Sequence, residues 1–167
     1  MVLKMPKSVL MMAAGTLALT GVSTMPSAAQ ALGPNPALCD SGSEPAILVR
    51  VSGLKNRAGT IRVRTFTGDP NKYFNKKYAQ KRLEYPTPAT GPVDICVPVG
   101  APGTYAVDIR HDANDNGDTD RSDGVGASGN PKFSLWNIIF GKRPSAAQVQ
   151  VSVGRGTTTV PITVRYL

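Results

Sequence analysis

The run Gly103-Thr104-Tyr105-Ala106-Val107-Asp108-Ile109-Arg110 decides the fold class, because Tyr105, Val107 and Ile109 alternate with smaller or polar residues. A period of two is the signature of a strand with one buried face, whereas a helix would bring apolar residues back every three or four positions. The acidic stretch that follows therefore hangs from a strand.

That stretch is Asp112-Ala113-Asn114-Asp115-Asn116-Gly117-Asp118-Thr119-Asp120-Arg121-Ser122-Asp123. Counted from Asp112 as the first of twelve positions, Asn114, Asn116, Asp118, Asp120 and Asp123 fall at three, five, seven, nine and twelve, with Gly117 at six. This is the ligand spacing of a calcium loop. A hard cation wants about six to eight oxygens, so alternate residues of a curled loop face inward, glycine takes the sharp turn, and position seven offers its carbonyl. The template ends on a glutamate, and Asp123 is one methylene shorter, so the loop must close more tightly there. Five of the chain's eleven acids lie in these twelve residues with only Arg121 to offset them, a local charge of −4. Carboxylates this crowded repel one another without a cation. The competing reading is a solvated surface turn, since Asp, Asn and Gly are also turn formers. An ordinary EF-hand is excluded by the entering strand and by Gly124, Gly126, Gly129 and Pro131, which forbid a continuous exit helix.

Working outward, the same alternation recurs at Ile47, Val49 and Val51, at Ile61 and Val63, at Ile95, Val97 and Val99, at Val149, Val151 and Val153, and at Val160, Ile162, Val164 and Tyr166. Six such runs predict antiparallel sheets, each with one buried face. Two of them packed together make an all-β sandwich of immunoglobulin-like or transthyretin-like architecture. Pro161 cannot donate to a ladder, so the last strand is expected at an edge or bulged.

Lys4 and Lys7 precede an apolar stretch over 9–22, and Ala29-Gln30-Ala31 supplies a small-x-small cleavage motif. Residues 1–31 are read as a secretory signal peptide and 32–167 as one domain, with cleavage after Ala29 as an alternative and no transmembrane anchor in the mature chain. Leu38 before Cys39 does not suit a lipoprotein site. Export to an oxidising periplasm or cell exterior favours pairing of the two cysteines, Cys39 and Cys96, over a reactive or metal-binding thiol.

Two segments break the strand rhythm. In 67–92, Lys72, Lys76, Lys77, Lys81 and Arg82 interleave with Tyr73, Phe74, Tyr78 and Tyr85, which reads as a long basic insertion with a short helix. Its cations could meet anionic envelope components. The plainer reading is a solvated face whose aromatics anchor it, and export argues against nucleic acid. In 124–145, Phe133, Trp136, Ile138, Ile139 and Phe140 follow a glycine-rich lead. That pattern fits an apolar flap over the sandwich, with an exposed partner patch as the alternative.

The run 103–107 together with His111-Asp112-Ala113-Asn114-Asp115-Asn116-Gly117-Asp118-Thr119-Asp120 resembles the signature of the exported bacterial family called domain of unknown function 2141. The likeness extends to an opening strand pair over 46–66, an aromatic segment over 133–144 and a closing strand over 157–166. It implies a β fold and no reaction.

No nucleophile elbow, zinc signature or phosphate loop occurs, and His111 is the sole histidine. The chain thus reads as a binding or structural module with a calcium-stabilised loop, the alternative being an envelope hydrolase that uses the metal loop or His111. Without 1–31 the chain carries +6, and without the loop +10, so a cationic body bears an anionic loop.

Overall fold

The computed structural model describes residues 30–132 and 142–166. The expected leader, save its last two residues, lies outside them, as do Phe133, Trp136, Ile138, Ile139 and Phe140 of the expected flap. The chain is all-β with few helices. A short helix α1 (Pro36–Ser41) precedes β1 (Ala46–Ser52), β2 (Thr60–Thr67), β3 (Lys81–Pro86), β4 (Val93–Pro98), β5 (Gly103–Asp112) and β6 (Gly124–Ala127); α2 (Ala146–Val149), β7 (Val151–Val153) and β8 (Thr157–Thr163) follow.

The strands form two sheets. One has the order β4-β1-β8, and the other runs β3-β2-β5-β6 with β7 paired to the start of β5. Each alternating run predicted from the sequence overlaps one of these strands, with Val99, Val149, Val164 and Tyr166 beyond the strand ends, because β-branched residues at every second position give each strand one apolar face. Those faces meet. Ile47, Val49, Ile95, Val160 and Ile162 of the first sheet and Ile61, Val63, Val107 and Ile109 of the second belong to one buried cluster.

Three expectations need correction. The sheets are not antiparallel throughout, since β8 runs parallel to β1 with Val49 opposite Val160 and Val51 opposite Ile162. The basic insertion holds no α-helix. It makes 3₁₀ turns at Pro70–Lys72 and Lys76–Tyr78, and then β3, where Leu83 and Tyr85 alternate with Arg82 and Glu84 and lean on the core. Val149 belongs to α2 and to a second cluster, with Phe66, Tyr73, Ala106 and Ala127, on the outer face of the larger sheet. The segment after the acidic loop begins as strand β6, and the apolar residues of the expected flap lie outside the described residues.

Both edges of the smaller sheet are covered, which reduces the hazard of open ladders there. Leu32 bonds Asp94 and Cys96 across the free side of β4. On the free side of β8, where Pro161 sits as expected of an edge, the Asn130 amide donates to the Pro161 carbonyl and accepts from Thr163 N–H. Cys39 and Cys96 form a disulfide with Cα atoms 5.9 Å apart, which fastens α1 to β4. Among the described residues no helix is long and apolar enough to cross a membrane.

Candidate metal centre

Strand β5 delivers the acidic loop. Its odd-numbered side chains enter the core and its even-numbered ones face outward, so Asp108, Arg110 and Asp112 share the outer face while His111 turns inward. Asp112 ends the strand almost fully buried, 2% exposed. Its carboxylate accepts from the backbone N–H of Asn116 at 3.2 Å and of Gly117 at 2.9 Å, which curls the loop back over the strand end. Gly117 takes φ +82°, a left-handed turn that only glycine makes without strain.

Three of the loop's alternate residues meet. Asn114 and Asn116 donate from their side-chain amides to one carboxylate oxygen of Asp120, at 3.0 and 2.7 Å. The other Asp120 oxygen accepts from the Ser122 N–H and hydroxyl at 2.6 and 2.7 Å. These bonds, led by those from Ser122, hold the Asp120 carboxyl well below the usual carboxylate range. Asp123 closes the loop. It is fully buried, and one of its oxygens accepts from the Asp120 N–H at 3.4 Å while the other, Oδ1, has no hydrogen-bond partner. Burial, with the charges of Asp112 and Asp120, pushes its carboxyl up. Asp118 points its side chain to solvent, in keeping with a position that would offer its carbonyl.

Sequence reasoning missed Arg110. Its guanidinium donates to Asp112 Oδ2 at 2.9 Å, to the Gly117 carbonyl at 2.9 Å and to Thr119 Oγ1 at 3.2 Å, and stands 4.0 Å from Asp123. The loop is thus laced to its own strand by a built-in cation. Lys55 likewise caps the loop's end through the Ser122 carbonyl at 2.5 Å. The signal was present in the sequence, as an arginine two residues before the first acid on the same strand face.

Do these residues suit a hard cation? Among the described residues no three His, Cys, Asp or Glu side chains gather closely enough to hold a metal by themselves. Asp112 and Asp120 already accept from several donors. What fits is oxygen chemistry: Asn114 and Asn116 meet at Asp120, whose backbone N–H bonds Asp123, and Asp123 Oδ1 is a buried carboxyl oxygen left without a donor. Buried polar atoms are nearly always paired, so this orphan marks a place where something else belongs. To coordinate, the Asn114 and Asn116 amides would turn their oxygens inward.

His111, the residue on which the hydrolase alternative rests, is fully buried. Both ring nitrogens are engaged, Nδ1 with the Tyr166 hydroxyl at 2.5 Å and Nε2 with the Ala58 carbonyl at 2.7 Å. In the basic insertion, Tyr73 is buried and packs tilted against Phe66 and edge-on against Phe74, so these aromatics anchor the segment. Lys76, Lys77 and Lys81 stay exposed, with Lys77 over the Tyr78 ring at 5.8 Å.

Two sheets around one core, with an acidic loop mounted at the end of a central strand, define an all-β protein. The chain belongs to the family described as "Uncharacterized protein conserved in bacteria (DUF2141)", whose model matches residues 49–161 and so spans both sheets and the loop. No curated protein and no solved structure matches the chain.

Proposed function

We propose that this chain is an exported, non-catalytic binding module of immunoglobulin-like or transthyretin-like sandwich form, whose 112–123 loop takes calcium as a structural clamp. The observation that carries the proposal is the buried Oδ1 of Asp123, left without a donor beside Asp112 and Asp120. Asp112, Asn114, Asn116, Asp120 and Asp123 would supply side-chain oxygens and Asp118 its carbonyl. The cation would supply charge compensation that Arg110 alone gives only on one side of the loop. Calcium is abundant outside the cytoplasm, so a weak site would stay filled there and hold β5 to β6. The amino-terminal leader motif and the Cys39–Cys96 disulfide support export. The exposed Lys76, Lys77 and Lys81 make anionic envelope components a plausible surface partner.

The test is thermal and urea unfolding of the mature chain in chelator, in magnesium and in calcium. At calcium one hundred times its dissociation constant, stability should rise by about 2.7 kcal/mol. Asp123→Asn should behave differently in the two conditions. In chelator it removes a buried charge that Arg110 offsets only from 4.0 Å and leaves stability unchanged or raised, while in calcium it loses the gain. Wild-type unfolding that does not respond to millimolar calcium would sink the clamp.

A further inference from the structure

The outer face of the larger sheet carries a cavity of about 310 Å³ whose lining is cationic. Arg62, Arg64, Arg110, Lys142 and Arg143 all reach it, against a single carboxylate, Asp108. The arginines arise from register. Arg62 and Arg64 alternate with Ile61 and Val63 on β2, and pairing with β5 sets Arg62 directly opposite Arg110 and Arg64 opposite Asp108.

The available acids are already used. Asp108 is held by Arg64 in a two-point ion pair, with Nε to Oδ1 at 2.9 Å. Glu84, the cross-strand neighbour of Arg62 on β3, is taken by Arg82 at 3.0 Å. Asp112 is taken by Arg110. Arg62 keeps its charge without a carboxylate, and the Nε atoms of both Arg62 and Arg110 are buried with no hydrogen-bond partner. Burial, then the neighbouring Arg64 and Arg110, press the Arg62 guanidinium down to about 10. Like charges gathered in a partly enclosed space with unused N–H groups describe a site that lacks its anion. Among the described residues the rest of the lining is apolar apart from Thr119, with Phe74, Val125, Ala127 and Pro144, and the volume lies at the lower end of the range for small-molecule sites.

We propose that this cavity binds a small molecule with an oxyanion head, held by the Arg62 and Arg110 guanidinium groups, and a compact apolar body resting on Phe74 and Val125. A guanidinium presents its N–H groups in a planar fork that matches the paired oxygens of a carboxylate or a phosphate. Arg110 offers its unpartnered Nε, since its other two nitrogens hold the acidic loop, and Thr119 of that loop lines the cavity, so the state of the loop must be fixed when binding is measured.

The experiment is therefore run in chelator on the mature chain, with inorganic phosphate, benzoate and sodium chloride compared at equal ionic strength. Binding is followed by thermal shift and by amide chemical shifts. Phosphate or benzoate should raise the melting temperature above the chloride control and move the amides of Arg62 and of 125–127. The anion that does so identifies the head group. Arg62→Gln should weaken binding by about tenfold or more, and Arg62→Met should do the same while melting no lower than wild type without ligand. Arg50→Gln, on the smaller sheet, should leave binding intact. If neither anion outperforms chloride, or if both Arg62 variants bind as wild type does, the site is refuted.

Discussion

At His111 the two neighbours dictate the proton's position. The Ala58 carbonyl can only accept, so Nε2 carries the hydrogen and Nδ1 accepts from the Tyr166 hydroxyl. The hydroxyl also accepts from the Lys55 N–H at 3.3 Å, and the two rings meet edge to face. Tyr166→Phe keeps the ring and removes these bonds. It leaves a buried histidine nitrogen unpaired, so stability in urea should fall by about 1–3 kcal/mol. A pH series adds a second readout. Burial raises the Tyr166 phenol above its ordinary value of 10, so the folded state holds this proton more tightly than the unfolded chain does. The corresponding stability is fully present below pH 10 and is lost as pH rises from there through the folded value. The variant should lack that alkaline loss; an unchanged slope above pH 10 would count against the assignment. Arg110 shows what reading residues singly overlooks, because its partners at Gly117 and Thr119 become neighbours only once the loop curls.

Among the elements, those with alternating β-branched residues were legible from the sequence, and the two that lacked them were not. In β3 the alternation of Leu83 and Tyr85 is present but sits inside a run of lysines, arginines and prolines that reads as a basic insertion. The sheet settles the matter by pairing Leu83 with Val63 and Tyr85 with Ile61. In β6, Gly124-Val125-Gly126-Ala127 has little strand propensity, and tertiary contact overrides it. The glycines are what let this edge strand approach the end of the chain. A Cβ on Gly124 would lie 2.5 Å from ring atoms of Tyr166 and collide with a methyl of Val164. Gly124→Ala should therefore cost about 1–3 kcal/mol through overpacking, seen as a lower urea midpoint at unchanged slope. Gly154→Ala serves as the control, since a Cβ there meets nothing within 4 Å. Equal stability of the two variants would mean that the strand shifts freely to accept a side chain. The curl of the acidic loop was legible too, because Gly117 and the Asx residues around it are local in sequence and need no partner strand to define the turn.

For the whole molecule, a period of two announces buried faces but carries no information on which strand pairs with which or in what direction. The parallel β1–β8 pair and the facing of Arg62 with Arg110 therefore had to come from the structure. The cysteines are different, for a chain with two thiols leaves one intramolecular pairing. The disulfide joins positions 57 residues apart, and the loop it closes reaches from α1 across β1, β2 and β3 to β4. A link over this span restricts the unfolded chain by about 4 kcal/mol on the loop-entropy account. In the folded state its surroundings are small and apolar: Cys39, Cys96 and Ala46 form a separate cluster at the end of the smaller sheet, away from the acidic loop. The double replacement Cys39→Ala with Cys96→Ala should therefore lower unfolding stability by about 2–5 kcal/mol. Because the bond acts mainly on the unfolded chain, the urea slope should rise as that chain expands, and calcium should add the same increment to the variant as to wild type. A variant that loses the calcium increment as well would show that the two ends of the molecule are coupled, and would overturn the separation of disulfide and loop into independent supports.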